Sequence, residues 1–378
     1  MKNLMKRSEM SRKRIGQMFQ QYSMEFRKRM FNKFSYRLFI PAFHRRGSSL
    51  DARKILQDYS PCPGGTSLMH NQIDLSTIDL QIIVPAYNVE KYLRSCMKSI
   101  LSQKTKYTFA VTLIDDGSSD TTSQIVDEYL RYENVDVLHK QNEGLSSARN
   151  VGLKTLAARY VAFVDSDDLL APDAIDILLD KAYSSDADIV EGNYYDLKGE
   201  KLTRKKGNYS ANTHGQAWGK VYKSSLFSNI GFPTGYWFED SVNAFIIFSL
   251  TEKMIRIPDY VYIHRKNMKS ITHIASQNHK CIDTYWITEL MVIERAKLGL
   301  AGDERYYEAL LHQVHLNAKR ISETPMRIQE SVFCLSRELV GSSIPDGYKS
   351  KKYAELQEAM KNNDFGVYRL FCRCFGTE

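Results

Sequence analysis

Tyr160-Val161-Ala162-Phe163-Val164 runs directly into Asp165-Ser166-Asp167-Asp168, an apolar stretch that ends in three acids with one serine between them. Five residues rich in Val and aromatics, without polar alternation, read as a strand buried on both faces, the pattern of a parallel sheet. The acids then lie at its carboxyl end. In an open α/β sheet ligands bind in the crevice beyond those ends, so the placement carries chemistry if the surrounding chain alternates strand and helix.

It does so from residue 80. Leu80-Gln81-Ile82-Ile83-Val84, stopped by Pro85, reads as one strand, Ala110-Val111-Thr112-Leu113-Ile114 as a second and Val135-Asp136-Val137-Leu138 as a third. Between the first two lies a helix with Asn88 as its N-cap and Leu93, Cys96, Met97, Ile100 and Leu101 on one face. Asp120 caps a second helix that buries Ile125, Val126, Tyr129 and Leu130. After the acids, Pro172 suits a first helical turn, and Ile175, Leu178, Leu179 and Ala182 continue at helical spacing. Strands alternating with helices of this length define a doubly wound, mostly parallel sheet flanked by helices. From Ile189-Val190 to about residue 280 the pattern is irregular. Beyond Cys281 it is helical in four stretches: Tyr285 to Leu298, Glu304 to Ile321, Arg327 to Val340 and Tyr353 to Met360. The expected organisation is an N-terminal segment and linker over 1–72, a sheet domain over 73–280 and an all-α region over 281–378.

The total charge of +8 is concentrated at one end: residues 1–47 hold thirteen Lys and Arg against Glu9 and Glu25, a local +11, which leaves −3 for the rest. The bulk of the chain is therefore not a polycation, and a nucleic-acid partner is not expected. Within the basic segment Ile15, Met18, Phe19, Tyr22, Phe26, Met30, Phe31, Phe34, Leu38 and Phe39 recur at helical spacing. Such a helix either packs on this protein or a second subunit, or lies on an anionic membrane surface. Six scattered cysteines fit reduced thiols, and no apolar run approaches the length that spans a bilayer. The expectation is a cytoplasmic protein, peripheral at the inner face of the membrane if the basic helix binds lipid, with the helical regions available for self-association.

Each strand of the alternating part ends in polar residues: Pro85-Ala86-Tyr87-Asn88; Asp115-Asp116-Gly117-Ser118-Ser119-Asp120; Asn142-Glu143-Gly144 followed by Ala148-Arg149-Asn150; and Asp165-Ser166-Asp167. Four successive strand ends bearing acids, amides and an Arg converge in space only if they line one crevice. Asp165 and Asp167, one residue apart, suit a hard cation that prefers oxygen ligands, Mn2+ or Mg2+. Asp168 or Ser166 is available to cap the next helix.

In this order the motifs resemble the family 2 glycosyltransferases of the GT-A (Rossmann-like) fold, over roughly residues 78–270. The matching residues are Val84 to Asn88 with Glu90, Asp115 to Ser118 with Asp120, Asn142 to Gly144 with Ala148 to Asn150, Asp165 to Asp168, and Glu239-Asp240. The resemblance implies transfer of a hexosyl or N-acetylhexosaminyl unit from a nucleotide-diphosphate donor, a UDP-sugar, to a hydroxyl of a cell-envelope glycan or lipid-linked acceptor. It implies that Pro85, Tyr87 and Glu90 flank base and ribose, that Asp116 holds the base edge, and that Asn142, Gly144, Arg149, Ser166 and Lys220 complete the donor side. Asp165 would contact ribose or sugar, Asp167 would ligate the metal with Asp165 and His264, and Arg265, followed by Ser270, would close over the diphosphate. Trp218 and Trp237 would be on the acceptor side, Trp218 either stacking on a sugar face or simply belonging to the core. Asp240 is assigned as general base, with Glu239 beside it orienting the acceptor. The Gln-x-x-Arg-Trp signature of processive members is absent, which favours one addition per encounter. The contrasting expectation is a membrane-associated glycan-binding scaffold with a dead site, which would have no use for a base beside a metal.

Overall fold

The computed structural model describes residues 49–73, 78–205, 215–267 and 278–374. The basic segment 1–47 and Ser270 lie outside them. As far as they are described, residues divide into two units, one of Pro63–His273 with Leu290–Ala301, the other of Met1–Cys62, Ile274–Glu289 and Gly302–Glu378.

The first unit is built on one mixed sheet. Its strands are β1 (Ile78–Ala86), β2 (Phe109–Asp115), β3 (Val135–His139), β4 (Ala158–Phe163), β5 (Leu169–Leu170), β6 (Ile189–Lys198), β7 (Lys201–Lys205), β8 (Lys220–Lys223) and β9 (Met254–Arg265). Their order is β3-β2-β1-β4-β8-β6-β9-β5, with β7 paired to β6. β1 to β4 are parallel, as expected from strands that alternate with helices. The chain starts in the middle at β1, steps outward to β2 and β3, then returns to the other side of β1 as β4. That reversal places the switch crevice at the carboxyl ends of β1 and β4, where Asp165 to Asp168 emerge.

Pro85 sits inside a central strand without cost, because β4 pairs with β1 only as far as Ile83–Phe163. The missing N–H falls on the β4 side, where pairing has ended, while Pro85 stays in register with Ile114 of β2 on the other. Gln81 is 3% exposed but satisfied: its Nε2 donates to Thr112 Oγ1 at 2.8 Å and its Oε1 accepts from Ala157 N at 2.8 Å.

Three local expectations are corrected. Asn88 is not an N-cap: the helix begins at Leu93, and Asn88 adopts a left-handed backbone (φ 52°) with its Oδ1 accepting from Ser119 N at 2.8 Å. It ties the end of β1 to the Asp115 to Asp120 loop. Leu130 is 63% exposed, because the helix Thr122–Asp127 tightens into a 3₁₀ turn over Glu128–Arg131. Three residues per turn instead of 3.6 rotate Leu130 off the buried face while Ile125, Val126 and Tyr129 stay on it. The helix after the acids starts at Ala174, behind Asp173 at φ 58°, so Pro172 lies in the turn before it.

The irregular stretch supplies the second half of the sheet. β8 is antiparallel to β4 and to β6, and β9 is parallel to β6 with a bulge between Glu191 and Tyr194. Gly192 lies on that bulge, where an added Cβ would come within 2.5 Å of Val261. A Gly, a Pro and a register shift inside strands erase the period by which strands are read.

The second unit is helical: Ser49–Tyr59, Glu304–Arg320, Met326–Ser343, Ala354–Lys361 and Phe365–Cys374, with the first part of Asp283–Lys297. The first and last of these helices were not anticipated. Asp303 accepts from Tyr306 N at 2.7 Å and so caps Glu304–Arg320. Among the described residues no helix is long and apolar enough to cross a membrane.

Candidate active site

Arg149 is the junction of the crevice. It sits in the helix Leu145–Lys154, which begins behind Gly144 at φ 91°, and its side chain is 1% exposed. Its Nη2 lies 2.8 Å from Asp165 Oδ1, and its Nη1 lies 2.8 Å from Glu239 Oε1 and 3.2 Å from Asp240 Oδ1. The guanidinium also lies against the rings of Phe232, at 5.0 Å, and Phe163, at 6.0 Å. Burial opposes its charge, but Asp165, Asp240 and Glu239 outweigh burial and hold it firmly protonated. Asp165, which follows β4, and Glu239 and Asp240, which precede the helix Ser241–Phe245, are thereby joined in one cluster through Arg149.

Phe238 delivers the second set. It has a left-handed backbone at φ 66°, an uncommon state for a bulky residue that is held in place by its surroundings. Its carbonyl accepts from Ser241 N at 3.1 Å and Ser241 Oγ at 2.9 Å. Asp240 occupies the N-cap position of Ser241–Phe245 yet makes no capping hydrogen bond; its carboxylate goes to Arg149. Protein encloses Asp240 closely while 32% of its side chain still opens to the crevice. Burial first, then the Glu239 charge, raises its pKa to about 7 against the pull of Arg149.

On the other side of Asp165, Asp168 Oδ1 accepts from Arg265 N at 2.6 Å, Arg265 Nε donates to the Asp167 carbonyl at 2.7 Å, and Asn267 Nδ2 donates to Asp167 Oδ2 at 3.1 Å. The Arg265 guanidinium lies over the Tyr92 ring at 5.0 Å. Burial and then the neighbouring Asp165 raise the pKa of Asp167; Asp168, more deeply buried, is raised further. Asp165, Asp167 and Asp168 bring carboxylate oxygens together within four residues, the donor type a hard divalent cation takes. The three expected ligands are not preassembled: among the described residues no group of three or more His, Cys, Asp or Glu side chains is set to hold an ion. His264 is turned to Asp196, whose Oδ1 lies 3.1 Å from His264 Nδ1.

Several expected donor residues are placed as braces. Asp116, expected at the base edge, is 3% exposed and accepts from Lys140 Nζ at 2.8 Å, Gly144 N at 2.8 Å and Glu143 N at 3.2 Å, so it shapes the turn carrying Asn142. Glu90 Oε2 accepts from Thr121 Oγ1 at 2.7 Å, and Pro85 is buried. Tyr87, after β1, and Asn142, after β3, are exposed on either side of the end of β2, while Ser166 is 6% exposed. Lys220 is corrected: it is 2% exposed, and its Nζ is committed to the Gln216 carbonyl at 2.8 Å and to Glu191 at 3.3 Å. Trp218 is corrected as well. It is 8% exposed, stacked on Tyr262 at 4.7 Å and His264 at 5.3 Å with Tyr194 against it, and is core instead of an open sugar platform. Trp237 remains half-buried beside Glu239.

Two contributors were missed. Tyr262 accepts from Asp165 N at 3.1 Å from a fully buried position, and nothing in the sequence marks it. Asn267 follows directly after the noticed His264-Arg265-Lys266 and was within reach of the same reading.

Gly117 holds the second strand end. At φ 69°, an added Cβ would lie 2.7 Å from Asn142 N and 3.1 Å from Lys140 O, both immobile backbone. Gly117→Ala is expected to cost about 1–3 kcal/mol through strain and overpacking, read as a lower midpoint in urea, and to displace the Asn142 turn.

A Rossmann-like sheet with acids at the crevice of its switch point, and a second pair of acids brought in from its antiparallel half, defines a GT-A glycosyltransferase domain. The Glycosyl transferase family 2 model matches residues 81–241. The glycosyltransferase GlyG of Streptococcus pneumoniae serotype 4 is 30% identical over 252 residues, 59% of this chain and 81% of GlyG. The glycosyltransferase GlyA of the same organism is 32% identical over 234 residues, 54% of this chain but only 33% of GlyA's length. The fold is similar to that of S. aureus TarS 1–349 solved with UDP-GlcNAc, with TM-score 0.61 and 21% identity over 77% of this chain and 90% of that one. This chain belongs to the family 2 glycosyltransferases.

Proposed function

We propose that this protein transfers a hexosyl or N-acetylhexosaminyl unit, with inversion, from a UDP-sugar to a hydroxyl of a glycan or lipid-linked acceptor, one unit per encounter, at the cytoplasmic face of the membrane. The observation that carries the reading is the Arg149 junction, which couples Asp165 at the end of β4 to Glu239 and Asp240 across the crevice.

In this reading the base and ribose lie between exposed Tyr87 and the Asn142 turn that Asp116 holds. Asp165, oriented by Arg149 and by Tyr262, contacts ribose or sugar. Arg265, anchored at the Asp167 carbonyl, faces the diphosphate. Asp167, Asp165 and His264 would be the residues to hold a Mn2+ or Mg2+, which would supply Lewis-acid stabilisation of the departing diphosphate. Asp240 takes the acceptor proton as the new bond forms. Glu239, fixed by the same guanidinium, orients the acceptor beside Trp237. Arg149 touches neither substrate; it is a positioning residue.

The direct test is donor hydrolysis across a panel of nucleotide sugars, with and without EDTA, and assignment of the product anomer by NMR. Turnover of a UDP-sugar that EDTA stops and Mn2+ restores, with inversion, is the expected result. Metal-independent turnover contradicts the roles of Asp165 and Asp167, and retention contradicts Asp240 as base. A pH profile gives a separate check. The base must be deprotonated and its pKa is raised to about 7, so kcat/KM should climb about tenfold per pH unit below that value and level off above it. A profile flat from pH 5 to 8 contradicts the assignment.

A further inference from the structure

Residues 63–71, which open with Pro63, Gly64 and Gly65 and read as a linker, are strapped antiparallel onto residues 228–234. Asn71 N donates to the Ser228 carbonyl at 2.8 Å, Met69 N to that of Asn229 at 3.1 Å, and Gly231 N to that of Ser67 at 2.8 Å, with Leu68 bridging Ile230 between them. Two glycines allow the close approach. A Cβ added at Gly231 would come within 2.6 Å of Asn150 Oδ1, and one added at Gly65 within 2.9 Å of the Thr234 carbonyl carbon. The strap is held in turn by Glu294, 1% exposed, in the part of the helix Asp283–Lys297 that belongs to the sheet unit. Its carboxyl group accepts from Ser67 N at 3.1 Å, from Ser67 Oγ and from Thr66 Oγ1. Buried from water, it has these donors as its partners, and Thr66 and Ser67 are fixed by them.

The strapped segment leads directly into the acids of the crevice. Asn150, one residue after Arg149, clamps Phe232: its Oδ1 accepts from Phe232 N at 2.7 Å and its Nδ2 donates to the Phe232 carbonyl at 2.8 Å. The ring of Phe232 is the one that lies 5.0 Å from the Arg149 guanidinium. Residues 233–238 then connect this clamp to Glu239 and Asp240. Within that connection Phe238 is at φ 66°, a strained backbone that persists only while its surroundings over-determine it. A short loop carrying such a residue keeps its shape when its root is fixed, and the strap fixes the root.

We propose that Glu294 is a positioning residue for Glu239 and Asp240, acting through the strap 63–71 on the root of the loop that ends in these two acids. It touches no substrate. The inference rests on the assignment of Asp240 as base, and its test separates the two.

The full chain is made as native protein, Glu294→Ala, Glu294→Gln, Gly65→Ala and Gln81→Ala. Gly65→Ala keeps the Glu294 hydrogen bonds but drives the strap off Thr234, and Gln81→Ala is the control, removing a buried amide whose partners are Thr112 and Ala157. Four quantities are measured: melting temperature, UDP affinity by calorimetry, kcat for hydrolysis of the UDP-sugar that native protein turns over, and amide hydrogen exchange of residues 231–240 by mass spectrometry. Glu294→Ala and Gly65→Ala should exchange 231–240 about tenfold faster than native protein and lose about 10–100-fold in kcat, with UDP affinity unchanged. Glu294→Gln, which keeps an acceptor for Ser67, should recover part of both. Gln81→Ala should lower the melting temperature and leave exchange over 231–240 and kcat as they are. Native exchange over 231–240 in both Glu294→Ala and Gly65→Ala overturns the proposal, and so does native kcat in a variant whose loop exchanges faster. A Gln81→Ala protein with the same faster exchange and lower kcat overturns it too, since general loss of stability would then account for the effect. Full turnover by Asp240→Asn alongside impaired strap variants removes Asp240 as base and leaves Glu294 as the residue that positions the loop.

Discussion

Replacing Asp240 by Asn is expected to lower kcat for sugar transfer by about 10²–10⁴-fold, the range that a positioned general base contributes, with the dissociation constant for UDP unchanged. Asn is isosteric and can still accept from Arg149, whose other two carboxylates remain at 2.8 Å. What it cannot do is take a proton. The same variant has a distinctive stability signature. Asp240 has a raised folded-state pKa, so its contribution to stability is present below the ordinary carboxylate value and is lost as pH rises through about 7. Asn does not titrate and escapes that loss. Relative to native protein, the melting temperature of Asp240→Asn should therefore be higher at pH 8 than at pH 5. Equal differences at both pH values would show that Asp240 is not an enclosed, reluctant carboxylate, and retained transfer would remove it as base.

Arg149→Met should be the most damaging single change in the sheet unit. It leaves Asp165, Glu239 and Asp240 facing one another with no cation between them, and Glu239 is only 7% exposed. Breaking a buried ion pair by deleting one partner costs about 3–5 kcal/mol, a drop in melting temperature on the order of 10 °C. Arg149→Lys keeps the charge but not the fork. One ammonium cannot reproduce two nitrogens directed at Asp165 and at the Glu239-Asp240 pair. The lysine variant should recover much of the stability while kcat stays low, and the gap between those two measurements isolates positioning from folding. A lysine variant with native kcat would show that charge alone suffices.

The legibility of this chain follows from how its residues meet their environment. β1 and β4 could be read because central strands buried on both faces carry mostly apolar runs, Leu80 to Val84 in one and Tyr160 to Phe163 in the other, whereas the edge strand β3 alternates and is partly exposed. The acids could be read because metal and proton chemistry restricts residue type. β6 and β9 could not, since Gly192 and Pro258 serve a bulge and a bend that only the assembled sheet explains. Lys220 and Trp218 show the opposite error. Each has a side chain suited to a ligand, and each is enclosed by partners, Glu191 in one case and Tyr262 in the other, that lie far away in sequence. Arg149 was noticed through its motif, but its three partners come from both halves of the sheet, and only the folded chain brings them together.

The pairing of β4 with β8 has a consequence for how this protein is made. β4 is complete at Phe163, while its outer neighbour begins only at Lys220. At roughly 5–20 residues per second, several seconds of synthesis separate them. Through that interval the nascent parallel half presents an apolar strand, Tyr160-Val161-Ala162-Phe163, with one row of backbone groups unpaired, the kind of edge that recruits other chains. Nascent chains of this enzyme should therefore be most dependent on chaperone protection between the emergence of β4 and that of β8. Over the same interval the half-built chain carries Asp165, Asp167 and Asp168 without Asp240, the residue proposed as the base that deprotonates the acceptor.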